Sequence, residues 1–96
     1  MIHVDDRRTL EDWPEAKIIT ANKDCVLGDH FHRIKTEKFI LTSGEATMKV
    51  DLSTIRMERG EVYTISPGQR HSFFVKKGSV LIGICSHKFD PTDDYK

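Results

Sequence analysis

His30-Phe31-His32-Arg33-Ile34-Lys35-Thr36-Glu37 is the run on which the reading of this chain turns. Two imidazoles two residues apart share a direction on a β-strand, where side chains alternate faces; on a helix they diverge. A third imidazole arrives much later, in Ser66-Pro67-Gly68-Gln69-Arg70-His71. Three imidazoles and one carboxylate form a nitrogen–oxygen donor set suited to a divalent transition metal. His30, His32, Glu37 and His71 are therefore the candidate metal ligands. One divalent ion per chain (zinc, manganese, nickel or iron) is the implied cofactor.

Outward from that run the chain reads as short strands cut by turn residues. Strands are expected over 17–21, 26–33, 38–42, 45–51, 54–58, 61–65, 71–75 and 79–86. Ser43-Gly44, Leu52-Ser53, Gly60, Pro67-Gly68 and Lys77-Gly78 punctuate them. Strands of this length, regularly spaced and bounded by Gly or Pro, predict an all-β sandwich or small antiparallel β-barrel. Residues 6–14 leave room for one helical turn around Leu10 and Trp13, limited by Pro14. No repeat, linker or low-complexity segment interrupts the chain. The expectation is a single domain over 1–96, with a barrel core at about 17–86, an N-terminal arm at 1–16 and a polar tail at 87–96.

The strand faces support the same site. If Glu37 points inward, Phe39 and Leu41 follow it by alternation; if His71 points inward, so do Phe73 and Val75. Each ligand then shares a face with apolar residues that line a barrel, which places the ion inside.

Bulk composition removes several function classes. Fifteen basic and fifteen acidic side chains cancel, so no charge excess speaks for nucleic acid. No apolar run approaches the roughly 20 residues that span a bilayer. The first eight residues have no apolar centre and do not read as a secretory signal. Cys25 and Cys85 form no CxxC pair and read as two thiols in a reducing compartment, which makes a cytoplasmic location the expectation. A 96-residue chain buries only about 60–65% of its unfolded surface, so a homodimer interface would help it.

The two runs together resemble the motifs of small single-domain cupins. The first family motif reads G-x5-H-x-H-x3–4-E-x6-G, and His30, His32, Glu37 and Gly44 fall at its spacings. Asp24 stands where its leading Gly belongs. The second reads G-x5-P-x-G-x2-H-x3-N, matched by Gly60, Gly68 and His71. Ser66 occupies the proline position, with Pro67 one place later, and Val75 replaces the closing Asn. The resemblance implies a jelly-roll (double-stranded β-helix) barrel with metal on the four residues named above. It also implies pairing of subunits, with residues 9–21 as the place to look.

Cupins include sugar isomerases and epimerases, dioxygenases, decarboxylases and non-enzymatic binders, and fold alone does not choose among them. Thr36–Glu45 and the ending Phe89-Asp90-Pro91-Thr92-Asp93-Asp94-Tyr95 are similar to cupins of the phosphomannose isomerase and sugar-nucleotide ketoisomerase groups. That similarity implies a small sugar or sugar-phosphate substrate. Arg33, Lys35 and Arg70, close in sequence to the ligands, are the candidates to bind an anionic group. Phe39, Phe73 and Met48 are candidates to line an apolar pocket. Glu37 and Tyr63 are the candidate proton-transfer groups.

Overall fold

The computed structural model describes residues 1–13, 15–86, 92 and 95. Among the described residues ten strands follow one another: β1 (Ile2–Val4), β2 (Arg8–Asp12), β3 (Ala16–Ala21), β4 (Cys25–His30), β5 (Glu37–Ser43), β6 (Ala46–Val50), β7 (Ser53–Arg56), β8 (Val62–Ile65), β9 (His71–Val75) and β10 (Val80–Cys85). They form a six-stranded sheet in the order β1-β2-β3-β10-β5-β8 and a four-stranded sheet in the order β4-β9-β6-β7. Every neighbouring pair is antiparallel. Beyond the hairpins β1–β2, β2–β3 and β6–β7, each connection passes from one sheet to the other. That winding is the expected jelly roll.

Alternation along the strands builds a single core. β5 buries Glu37, Phe39 and Leu41, and β9 buries His71, Phe73 and Val75. Ile19, Leu27, Ala46, Met48, Ile65 and Leu81 join them from both sheets. The same period that fills the core thus carries Glu37 and His71 inward. Both open their strands, so both lie at one end of the barrel.

Two expectations are corrected. Among the described residues of 6–14 there is no helical turn; β1 and β2 make a hairpin that extends the sheet at β3, with Leu10 opposite Ile19. The Asp5 carboxylate closes that hairpin by accepting the N–H groups of Arg7 at 2.8 Å and Arg8 at 2.9 Å. Pairing with an open strand edge satisfies more backbone groups than a lone turn before Pro14. The strand expected over 26–33 ends at His30. Gly28 and Asp29 take left-handed φ angles of 86° and 70°, and the register with β9 slips between Gly28 and His30. This bulge reconciles two demands. Leu27 faces the core opposite Phe73, and strict alternation from there would turn His30 out. One extra residue brings His30 opposite His71 instead.

The tail expected at 87–96, with His87, lies largely outside the described residues. Tyr95 is described: it pairs with Phe31 through two backbone hydrogen bonds of 2.8 and 3.0 Å.

Gly44 turns β5 into β6 at φ 86°, and a Cβ there would lie 2.6 Å from the Ser79 Cα. Ser79 cannot retreat, because its hydroxyl binds the Glu45 N–H and C=O at 2.9 Å each. Gly60 has the same φ but open space around it. Gly44→Ala is therefore expected to cost roughly 2–4 kcal/mol and Gly60→Ala about 1 kcal/mol. Urea unfolding of the two variants measures the difference; equal losses would mean backbone strain alone governs both turns.

Candidate metal centre

His30, His32, Glu37 and His71 come together at the barrel end, with one donor atom from each lying within 4.8 Å of all the others. The His30 ring stands 4.6 Å from the rings of both His32 and His71, centroid to centroid. Glu37 is 1% exposed, His71 2% and His32 5%; His30 is half-buried and forms the solvent side. An octahedral ion about 2.1 Å from each donor needs separations of roughly 3 to 4.3 Å. A contraction of about half an ångström closes the set.

Four different local devices aim these side chains. His30 is turned in by the bulge. His32 follows the strand in a loop, and its carbonyl accepts the Gly68 N–H, which ties the first ligand run to the second. Glu37 opens β5, between Cys85 of β10 and Ile65 of β8. His71 opens β9, and its Nδ1 lies 3.2 Å from the Gln69 carbonyl oxygen. A carbonyl only accepts, so Nδ1 carries the hydrogen and the neutral ring presents the Nε2 lone pair to the site.

That lone pair has no conventional partner. Glu37 Oε1 lies 3.3 Å from His71 Nε2 and 3.0 Å from His32 Nε2. Yet Oε1 and His71 Nε2 are buried polar atoms without a hydrogen bond of acceptable geometry. Buried acceptors that face one another are costly unless a cation sits among them. A proton on His71 would satisfy one pair, whereas a divalent ion satisfies the whole set. The chemistry of the donors thus fits a metal.

Behind the site, Glu37 Oε2 receives Lys17 Nζ at 3.4 Å and the Cys85 thiol at 3.7 Å. Burial pushes the Glu37 carboxyl up. A hydrogen bond from the His71 ring when that ring carries a second proton, together with the ammonium groups of Lys17 and Lys35, outweighs it and holds the group well below the usual carboxylate range. Ligation needs Glu37 in its anionic form and the imidazoles neutral. Burial also pushes the Cys85 thiol up, offset in part by the same two lysines.

The other expected site residues scatter around this centre. Phe39 and Phe73 pack on each other at 4.6 Å, and each ring lies just over 6 Å from His71, as a buried floor with Met48. Tyr63 packs on the core cluster, and its hydroxyl oxygen accepts the Glu58 N–H at 2.7 Å. Tyr63 and Met48 line a cleft of about 380 Å³ with Val50, Ile55, Thr64 and Gln69. None of the four ligands lines that cleft, though its Val50 is the cross-strand partner of His71; His71 itself lines a separate cleft with Asp29, Asp51 and Arg70. Arg33 lies 4.5 Å above the Tyr95 ring, and Arg70 pairs with Asp29 Oδ1 at 3.0 Å; both are exposed. Lys35 is 5% exposed and sits behind Glu37 rather than at the mouth.

Lys17 and Gln69 escaped the sequence reading. Gln69 could not be told from any turn residue. Lys17 had an indirect signal in Gly83, a glycine inside the most apolar strand, where a missing side chain marks close approach of another group.

The barrel, with a four-residue donor cluster that could hold a metal ion, defines a cupin type of domain. Residues 18–84 match the Cupin domain family, and the chain belongs to that family. Among solved structures, the capsular polysaccharide assembling protein CapF from Staphylococcus aureus superposes with a TM-score of 0.83 at 26% identity, over 99% of this chain and 33% of that one. A second CapF structure, with the inhibitor 3-isopropenyl-tropolone, matches at 0.83 and 25%, again over 99% of this chain and 33% of that one. KdgF from Halomonas sp. gives 0.81 at 14% identity, over 94% of this chain and 87% of that one. The chain thus spans about a third of CapF but most of KdgF. No curated protein matches the sequence. Among the described residues, no helix is long and apolar enough to cross a membrane.

Calorimetric titration of the chelator-treated protein with Mn²⁺ or Zn²⁺ is expected to give one site per chain. His71→Ala and Glu37→Gln are each expected to weaken it by about 100-fold or more, at or beyond the range seen for outer-shell changes. Wild-type affinity in both variants would remove the cluster from consideration as the metal site.

Proposed function

We propose that this cupin is a metal-dependent enzyme acting on a sugar or sugar phosphate, of the isomerase or epimerase type. The observation that carries the reading is a four-donor centre with one cleft lined by His71 and another by its strand partner Val50. Four protein donors on a six-coordinate ion leave two positions, enough for neighbouring carbonyl and hydroxyl oxygens. The ion, when bound, supplies Lewis acidity to those oxygens.

The protein's own residues divide the remaining work. Glu37 serves as ligand: a carboxylate stabilised by Lys17 and Lys35 is a poor base for carbon acids. Tyr63 is the better proton-transfer candidate. Its oxygen is already occupied as acceptor by Glu58 N–H, which leaves its own proton to donate. Gln69 holds the His71 tautomer through its carbonyl oxygen and lines the second of these clefts. Arg33 and Arg70, on the two ligand-bearing loops, would meet a phosphate; Lys35 would act only through Glu37. Phe39, Phe73 and Met48 close the floor against water.

CapF lends the sugar reading its support through its description as a capsular polysaccharide assembling protein. Its inhibitor points the same way, because a tropolone presents adjacent carbonyl and hydroxyl oxygens of the kind a bidentate substrate offers. A homodimer in the cytoplasm belongs to this reading as well.

A second reading is an iron-dependent dioxygenase, favoured by the apolar floor of Phe39 and Phe73 beside His71. Metal analysis of freshly purified protein separates the two. Manganese, nickel or zinc near one equivalent is the expected result, followed by metal-dependent conversion in a screen of sugar phosphates and nucleotide sugars. Tyr63→Phe is expected to lower turnover roughly 10²- to 10⁴-fold with metal binding unchanged. Iron at one equivalent would move the dioxygenase ahead. Metal-loaded protein that binds tropolone but converts no sugar would leave a non-enzymatic binder.

A further inference from the structure

Lys17 reaches Glu37 by an unusual path. It lies on β3, two strands away from Glu37 on β5, with β10 between them. Lys17, Gly83 and Phe39 stand side by side across the three strands. A Cβ on Gly83 would lie 3.0 Å from Lys17 Cε, 3.2 Å from Lys17 Cγ and 2.9 Å from Phe39 Cε1. The missing side chain is thus the slot through which the lysine stem crosses β10. The stem runs beside the Phe39 ring, with the ammonium group 5.5 Å from its centroid, and ends 3.4 Å from Glu37 Oε2.

The two oxygens of Glu37 consequently face opposite ways. Oε1 looks at the imidazoles, 3.0 and 3.3 Å from two ring nitrogens, and Oε2 looks at Lys17 and Cys85. A carboxylate beside a divalent ion has two options: one oxygen on the ion, or both. A charge-assisted contact on Oε2, between a partly buried lysine and a fully buried carboxylate, opposes the second option. We infer that Lys17 is a positioning residue that holds Glu37 to one-oxygen ligation and so keeps a second exchangeable position open on the ion. Its positive charge works against cation binding, so a role in raising affinity alone would be a poor use of it. Its contribution lies in how many positions remain for a ligand.

This inference rests on the metal centre described above, and its test is chosen to separate the two. The probe is Mn²⁺ alone, read by water-proton relaxation, which counts exchangeable waters on the bound ion. Lys17→Met keeps the stem and removes the charge; Lys17→Arg keeps the charge. In Lys17→Met the inner-sphere relaxation per bound ion is expected to fall about twofold, from two waters to one. Lys17→Arg is expected to stay near the wild-type value. Melting of the metal-free proteins checks that each variant folds. Gly83→Ala, which crowds the lysine out of its slot, carries the same expectation as Lys17→Met and decides the matter if that variant does not fold. Equal relaxation in wild type and Lys17→Met, with Mn²⁺ bound in both, overturns the inference and leaves the metal centre standing. Wild-type protein that binds no Mn²⁺ or other divalent ion overturns both.

Discussion

A carboxylate with 1% of its surface exposed is the constraint around which this small barrel is arranged. Removing an ionised group from water costs several kcal/mol unless charge and hydrogen bonds replace the lost hydration. Glu37 has two oxygens to satisfy, and the fold answers each from a different side. In front stand imidazoles from β4, the loop after it, and β9. Behind stands an ammonium group carried across β10. Neither answer suffices alone. His71 offers a lone pair to an oxygen that also offers lone pairs, an arrangement that a cation at the front would relieve. The ammonium group neutralises the rear oxygen and prevents it from turning forward.

The supports for the ligands differ in stiffness, and that difference bears on access. Glu37 and His71 open central strands of opposite sheets, each bonded on both sides, and they are the most buried of the four. His30 and His32 come from the end of β4 and the loop beyond it. That loop is tied at separate points: Gly68 N–H to the His32 carbonyl, and Phe31 to Tyr95, whose rings stack at 5.1 Å. Arg33 over the same Tyr95 ring adds a third tie. The buried pair thus forms an anchored wall. The half-buried His30 faces the direction from which water and any ligand must come.

Much of this was legible in the residues because two periodicities coincide. Alternation that buries Phe39 and Leu41 also buries Glu37, and alternation that buries Phe73 and Val75 also buries His71. Where function and core share one period, a sequence declares both. At β4 they disagree by one residue: Leu27 and His30 cannot both face inward on an unbroken strand. The reading of 26–33 as one strand followed the histidines and passed over Leu27. The bulge that resolves the conflict needs left-handed φ angles, which Gly28 announces and Asp29 does not. Lys17 was illegible for a different reason. Its partner is 20 residues away in sequence and its path depends on the absence of a side chain at Gly83. Local pattern carries no record of which group fills such a gap.

The basic residues show how the same limit bears on substrate. Arg33, Lys35 and Arg70 look alike in sequence, three positive charges near the ligands. In space they have three separate surroundings: an aromatic ring, the rear of a carboxylate, and an aspartate at the bulge of β4. Charge close to a ligand in sequence therefore does not amount to charge available to a substrate. An exposed Arg–Asp pair is worth at most about 1 kcal/mol and is readily exchanged for a phosphate, which binds a guanidinium through two parallel hydrogen bonds. Lys35, 5% exposed, has no such exchange open to it, because the phosphate would have to give up its own hydration to reach a buried ammonium group. An anionic substrate at this barrel mouth would accordingly be met by Arg70 and Arg33 and not by Lys35. Its charge instead adds to that of Lys17 in favouring the ionised form of Glu37.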